Sequence, residues 1–83
     1  MSTNLYVGDL DPTITSEQLE KLFSEAGKVS SAKVIIDRLT GQSKGFGFVE
    51  MSNQKEAQKA IKLLNKKEVN GKAIKVNEAQ PRR

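Results

Sequence analysis

Two stretches with a helical spacing of apolar residues divide this 83-residue chain into two similar halves. The first stretch has apolar residues at positions i, i+3, i+4 and i+7: Leu19, Leu22, Phe23 and Ala26. The second stretch repeats that spacing: Ala57, Ala60, Ile61 and Leu64. Since each apolar stripe covers only one side of its helix, both helices need a further layer of structure to bury that side.

Strand-like segments lie on both sides of each helical stretch. They alternate apolar and polar residues or are rich in β-branched residues, and they cover residues 5–7, 29–37, 44–51 and 73–77. Asn70-Gly71 is typical of hairpin turns, and residues 68–69 before it can form a small extra strand. The order strand, helix, strand, strand, helix, strand predicts an α+β fold, a ferredoxin-like βαββαβ sandwich. In such a fold a four-stranded antiparallel sheet carries two helices on one face.

Capping residues mark the ends of the predicted helices. Thr15 and Gln18 have the spacing of a capping box, and Asn53 with Glu56 predicts a cap for the second helix. Gly27 follows the first apolar stripe, where a glycine commonly ends a helix.

Composition narrows the function classes. The chain has no cysteine and no histidine, which excludes disulfides, thiol chemistry, Cys/His metal sites and a histidine base. No segment resembles a targeting peptide or a membrane span, so no membrane partner is expected. We predict one domain over residues 1–83, structured at 4–80 with a flexible tail at 81–83, and without metal or cofactor. A cytoplasmic location is expected, with a nuclear or organellar one left open.

Strand alternation predicts that aromatic side chains lie on the sheet face without helices. In the first strand Tyr6 points away from the apolar pair Leu5 and Val7. In the third strand Phe46 and Phe48 share a face with Lys44. Three of the chain's four aromatic residues, one Tyr and three Phe, are thus expected on the open face.

An open aromatic patch has two interpretations. The rings could partly shield the sheet, or the register could be shifted by one residue, which would bury Phe46 and Phe48 but expose Val49 and Met51. Alternatively the rings stack on unpaired bases while a lysine contacts the phosphate. Three aromatic residues beside one cation favour the second interpretation.

Two segments resemble the signatures of the RNA-recognition motif family. Residues 44–51 (KGFGFVEM) resemble the family's octapeptide, and residues 5–10 (LYVGDL) resemble its hexapeptide. The resemblance covers residues 4–80, and residues 74–80 are similar to the last strand of glycine-rich RNA-binding proteins and of short bacterial single-domain relatives. Asp9 departs from the pattern, since an Asn is frequent there.

The resemblance implies a role for each matching residue. Tyr6 and Phe48 would stack on successive bases, Phe46 would pack against the sugars between them, and Lys44 would contact a phosphate. The last strand's exit would supply main-chain and polar contacts to base edges from Asn77, Glu78, Ala79 and Gln80. Strand alternation adds four neighbours of the RNA on the open face: Asn4, Lys33, Ile35 and Lys75.

The sequence therefore predicts a monomer that binds single-stranded RNA without catalysis, in post-transcriptional regulation or as an RNA chaperone. Two alternatives stay open: binding of single-stranded DNA, and a protein-interaction module with the same fold. No two carboxylates are placed as an acid–base pair on the open face. Gly45-Phe46-Gly47 begins like a dinucleotide-binding motif but lies inside a strand, where no phosphate loop can form.

The second helix carries a row of lysines opposite its apolar stripe: Lys55, Lys59, Lys62 and Lys66. Residues 53–67 contain five lysines and one glutamate, a balance equal to the net charge of +4 of the whole chain. This row is either a solvated face or a second contact for longer RNA or an acidic partner.

Overall fold

A computed structural model describes residues 3–79 and confirms the predicted fold class. The elements in chain order are β1 (Asn4–Gly8), α1 (Ser16–Ser24), β2 (Val29–Ile36), β3 (Ser43–Met51), α2 (Gln54–Leu64), β4 (Glu68–Val69), β5 (Lys72–Ala73) and β6 (Lys75–Glu78). Four of the strands form an antiparallel sheet in the order β2-β3-β1-β6. Within the described residues, α1 packs on β2 and β3, while α2 packs on β6, β3 and β1.

The hydrophobic core lies between the helices and one face of the sheet. The helices contribute the predicted stripes, with Leu19, Phe23, Ala26, Ala57, Ala60 and Leu64 buried. The sheet contributes the alternate residues of its strands: Leu5, Val7, Val34, Val49, Met51 and Val76. No polar or charged residue of the described chain is buried with them. Leu22 and Ile61 are partly buried at the margin of this core.

Both predicted helix caps are present. The Gln18 N–H donates to the Thr15 hydroxyl at 3.2 Å, and the Thr15 N–H donates to the Gln18 side-chain oxygen at 3.0 Å. In α2 the Glu56 N–H donates to Asn53 Oδ1 at 2.9 Å. Because each bond satisfies an N–H that has no partner inside the helix, these residues set where the helices begin.

The prediction for Gly27 was wrong in its reason. Helix α1 ends at Ser24, and Glu25 caps it in a right-handed conformation. Gly27 instead lies against the side chain of Glu56: a Cβ at Gly27 would lie 2.8 Å from Glu56 Cβ, so the Glu56 side chain would have to shift. The glycine therefore permits a close approach between the turn after α1 and the start of α2.

The predicted last strand is two strands. Asn70 and Gly71, with φ values of 53° and 86°, form the expected hairpin turn, and Lys72–Ala73 after it pairs with Glu68–Val69. Ile74 is buried between this small hairpin and β6, which joins the edge of the main sheet. Because the strand is interrupted at Ile74, residues 72–73 can pair in the small hairpin while residues 75–78 pair in the main sheet.

No helix within residues 3–79 is long and apolar enough to cross a membrane.

Candidate nucleic-acid interface

Three aromatic rings form one cluster on the sheet face opposite the helices. Tyr6 of β1 pairs in register with Phe48 of β3, which places both side chains on the same face. The ring centroid of Tyr6 lies 5.9 Å from the ring centroids of Phe46 and Phe48, and the centroids of the two Phe rings are 6.2 Å apart. Tyr6 is 36% exposed and Phe48 is 42% exposed, so their faces are open to a flat ligand.

Gly47 holds the two phenylalanines at their positions on β3. It lies between them on the core face, and a Cβ there would lie 2.4 Å from the main-chain oxygen of Lys33 in β2. No side chain fits at this point without moving the neighbouring strand. A glycine thus stands between the two phenylalanines because β2 and β3 approach closely at this point, while the rings of Phe46 and Phe48 point to the other face of the sheet.

Gly8 makes room for the ring of Tyr6. A Cβ at Gly8 would lie 2.9 Å from both Cε2 and the hydroxyl of Tyr6. The ring therefore lies along β1 above the Gly8 backbone. Since Gly8 has no positive φ, its role is to leave space and not to adopt a special backbone conformation.

Gly45 introduces an irregularity next to Lys44. Its φ is 87°, and its carbonyl accepts a hydrogen bond from the Leu10 N–H at 2.8 Å, which ties β3 to the segment after β1. Between the pairs Val34–Gly47 and Ile36–Ser43, β3 has two residues more than β2. Lys44 lies within this irregular stretch, directly before Gly45, and is exposed.

Polar side chains surround the ring cluster. Lys33 pairs in register with Phe48, Asn77 pairs with Tyr6, and Asn4 pairs with Glu50. Ile35, two residues after Lys33, is half-buried on the same face. Ser31, in register with Glu50, also lies on this face. The sequence interpretation did not include Ser31, although the alternation that selected Lys33 extends to it.

Lys75 is at the edge of the cluster and is already paired. Its ammonium lies 3.3 Å from a carboxylate oxygen of Asp9, and both side chains are more than half exposed. Asp9 adopts a left-handed conformation with φ of 56°, directly after β1. The acid at this atypical position thus partly neutralises the charge of Lys75, an effect that the motif alone does not reveal.

The residues at the end of β6 take different directions. The Ala79 N–H donates to the carbonyl of Asn4 at 2.9 Å, which holds the main chain beside β1. The Glu78 carboxylate accepts a hydrogen bond from Gln58 Nε2 on α2 at 2.9 Å, so this side chain lies on the helix side. Only the main chain of Glu78 is available to the open face. Gln80 lies outside the described residues.

Two carboxyl groups with shifted pKa values lie away from the ring cluster. Hydrogen bonds from the Thr13 hydroxyl at 2.6 Å and the Thr13 N–H at 2.8 Å lower the pKa of Asp11. A hydrogen bond from the Lys28 N–H lowers the pKa of Glu56, aided by Ser52 and Asn53. Both carboxylates organise loops. Within residues 3–79 no three Asp or Glu residues are grouped to hold a metal ion.

Sequence comparison links this geometry to a known family. The family profile described as RNA recognition motif matches residues 5–75. "RNA-binding protein CP31B, chloroplastic" from Arabidopsis thaliana is 53% identical over 78 residues, which are 94% of this chain and 27% of that protein. The chain spans about a quarter to a third of the length of the curated relatives it matches.

Solved structures give the same result. The crystal structure of "RNA Binding Protein PG1" is 45% identical with a TM-score of 0.91, and the match covers 99% of both chains. The "Sxl-lethal protein/RNA complex" is 36% identical with a TM-score of 0.92, over 98% of this chain and 48% of that one. The matched signatures and the shared fold show that this chain belongs to the RNA recognition motif family.

Proposed function

We propose that this protein binds single-stranded RNA on its open sheet face. The observation that carries the proposal is the cluster of Tyr6, Phe46 and Phe48 on adjacent strands, with ring centroids about 6 Å apart. Tyr6 and Phe48 are exposed, and Phe46 between them is half-buried. Tyr6 and Phe48 stack on successive bases, Phe46 packs against the intervening sugars, and Lys44 contacts a phosphate.

Polar groups around the rings complete the proposed contact. Lys33 and Lys75 supply further cations, Asn4 and Ile35 adjoin the bound strand, and Asn77 contacts a base edge. Glu78 and Ala79, through their main chain, and Gln80 supply further contacts to base edges. A solved relative named as a protein/RNA complex has the same fold, which supports RNA as the ligand.

The affinity for a short RNA should be modest. Two stacked bases contribute about 1–3 kcal/mol each, before the cost of ordering the strand is subtracted. A single module with this energy reads few nucleotides. We therefore propose a non-catalytic role in post-transcriptional regulation or RNA chaperoning, exercised as a monomer.

The relatives bear on the proposed location. The first three curated relatives are named as chloroplast proteins, which supports an organellar location. They give no support to the cytoplasmic location that we expected from the sequence.

Single-stranded DNA is a second candidate ligand, because base stacking does not need a 2′-hydroxyl. A protein partner is the other alternative. It is disfavoured by the exposed rings, since peptide-binding domains of this fold usually lack the sheet aromatics.

The test is a chemical-shift titration with a single-stranded RNA of about four nucleotides, followed by affinity measurements on Tyr6→Ala and Phe48→Ala. The RNA should perturb the signals of Tyr6, Phe46 and Phe48, and each substitution should cost about 1–3 kcal/mol of binding. Leu63→Ala is the matched control, because Leu63 is 53% exposed on α2, away from the rings.

Unchanged affinity in both aromatic variants would contradict the stacking proposal. Equal affinity for a DNA strand of the same sequence would mean that the protein binds single-stranded DNA as well as RNA. Unchanged chemical shifts of Tyr6, Phe46 and Phe48 with either strand would favour a protein partner.

A further inference from the structure

Helix α2 presents a row of lysines on the side of the molecule opposite the ring cluster. Its buried residues Ala57, Ala60 and Leu64 face the core. On the opposite side of the helix, three exposed lysines follow one another at spacings of four and three residues: Lys55, Lys59 and Lys62. Lys66, which the sequence placed in the same row, lies beyond the end of α2 at Leu64 and has a left-handed backbone with φ of 69°. Here we call the row of three lysines the α2 lysine face.

Nothing in the described chain neutralises the α2 lysine face. None of its three lysines forms an ion pair with an acid among residues 3–79. Glu56 is the one acidic residue of α2, and its carboxylate is occupied by the Lys28 N–H, the Ser52 hydroxyl and Asn53 Nδ2. Like charges three or four residues apart cost a helix about 0.2–0.5 kcal/mol per pair, so an uncompensated row lowers stability.

The length of the row matches a polyanion. From Lys55 to Lys62 the helix rises by roughly 10 Å at about 1.5 Å per residue. A stacked nucleic-acid strand carries one phosphate charge about every 3.4 Å, so about three phosphates lie along that distance. Three cations on one side of the helix therefore face a similar number of regularly spaced anions.

We propose that the α2 lysine face binds the sugar–phosphate backbone of RNA beyond the segment held on the sheet. The contact is electrostatic and independent of base sequence, and it rests on the proposed function in taking RNA as its ligand. A lipid surface fits less well, since the apolar side of α2 is buried in the core and unavailable for insertion. One molecule then holds RNA on two opposite sides.

The test compares two triple variants of equal charge. The first is K55Q/K59Q/K62Q, and the matched control is K21Q/K28Q/K72Q, which removes three exposed lysines elsewhere. Glutamine has nearly the helix propensity of lysine, and circular dichroism checks that both variants fold. Affinities are measured for RNAs of about 4 and about 20 nucleotides between about 50 and 200 mM salt.

The α2 variant should lose affinity for the long RNA relative to the control and bind the short RNA equally well. Three lost phosphate contacts at about 0.7 each reduce the salt slope by roughly 2. The affinity ratio of wild type to the α2 variant should accordingly fall about twentyfold between 50 and 200 mM salt.

Equal behaviour of the α2 variant and the control on the long RNA would overturn the proposal. If instead the α2 variant loses affinity only for a poly-glutamate peptide, the surface takes an acidic protein and the RNA assignment is wrong. A failure of the proposed function would give a different result from a failure of this inference. If the sheet face does not bind RNA, the short RNA would bind to neither variant, but the long RNA would still bind the control more tightly than the α2 variant.

Discussion

Individual glycines control where the aromatic rings of this protein can lie. Gly8 leaves space for the ring of Tyr6, and Gly47 lets β2 approach closely beneath Phe46 and Phe48. Neither residue has a positive φ, so both positions are occupied by glycine for reasons of space. Stacking of a ligand on the rings therefore depends on the absence of side chains at Gly8 and Gly47.

Gly8→Ala should weaken RNA binding while the fold survives. The added methyl group displaces the ring of Tyr6, whose Cε2 lies 2.9 Å from the new Cβ position. The loss should be smaller than the roughly 1–3 kcal/mol expected for removing a stacking ring. Titration of a short RNA against wild type, Gly8→Ala, Tyr6→Ala and the double variant measures it.

The double variant is the control for this mechanism. If Gly8 acts through Tyr6, Gly8→Ala has no further effect in the Tyr6→Ala background. Additive losses would show that Gly8 acts on binding by another route.

Two positions with left-handed backbone should respond to substitution with opposite signs. Lys66 has φ of 69°, a conformation that costs a side-chain-bearing residue about 1–2 kcal/mol, while glycine adds about 0.5–1 kcal/mol of backbone entropy cost. Lys66→Gly should therefore stabilise the fold by up to ~1 kcal/mol. Gly45→Ala, at φ of 87°, should destabilise it. Urea unfolding measures both, and a stability loss in Lys66→Gly would contradict the strain argument.

At the scale of elements, the start of α2 is anchored to the turn after α1. Glu56 accepts hydrogen bonds from the Lys28 N–H, the Ser52 hydroxyl and Asn53 Nδ2. Its side chain packs on Gly27, where a Cβ atom would require the Glu56 side chain to shift. One carboxylate thus joins the cap of α2 to the turn after α1, which is distant in the sequence.

Glu56→Gln should lower the free energy of unfolding at neutral pH. The hydrogen bond from the Lys28 N–H lowers the pKa of Glu56 in the folded state. The ionised carboxylate therefore stabilises the fold fully above the unfolded-chain pKa of about 4.3. That contribution is lost as the pH falls through the lower pKa of the folded state. Chemical denaturation between about pH 7 and 3 should show wild type and variant converging at acid pH.

Glu20→Gln serves as the matched control, because Glu20 is exposed on α1 without a hydrogen bond of this kind among those described. A stability difference for Glu56→Gln that is constant with pH would contradict the assignment.

The elements were predictable where the information was local. Strand alternation placed Tyr6 and Phe48 correctly, and the capping residues Thr15 and Asn53 marked the helix starts. The role of Gly27 was not predictable, because its partner Glu56 is distant in the chain and no periodicity links them. The direction of Glu78 depends on Gln58 of α2 in the same way. Alternation predicts a face, but contacts between elements decide which side chain remains free on it.

At the scale of the whole molecule, the distribution of charge over the two sides says more about where a polyanion is attracted than the net charge of +4 does. The α2 lysine face is on the helix side, whereas the sheet side has cations partly opposed by acids such as Glu50 and Asp9. Lys75 and Asp9 form an ion pair with an N–O distance of 3.3 Å, which reduces the positive charge on the sheet side.

Asp9→Asn should strengthen RNA binding on the sheet. Asparagine tolerates the left-handed conformation of this position, and Lys75 is released to contact a phosphate. Since both side chains are largely exposed, the gain should be below about 1 kcal/mol, with a salt slope increased by about 0.7. Lys75→Gln in the Asp9→Asn background should abolish the gain. A gain that survives this second change would mean that Lys75 does not carry it.

Because both helices lie on one side of the sheet, the residues selected for folding are separate from those selected for binding. The residues of the hydrophobic core occupy one face of the sheet, and the ring cluster occupies the other. Substitutions on the open face can therefore change ligand preference with little risk to folding. The domain is accordingly suited to diversification by mutation, in nature or in a library that randomises the open face around Lys33, Lys75 and Asn77.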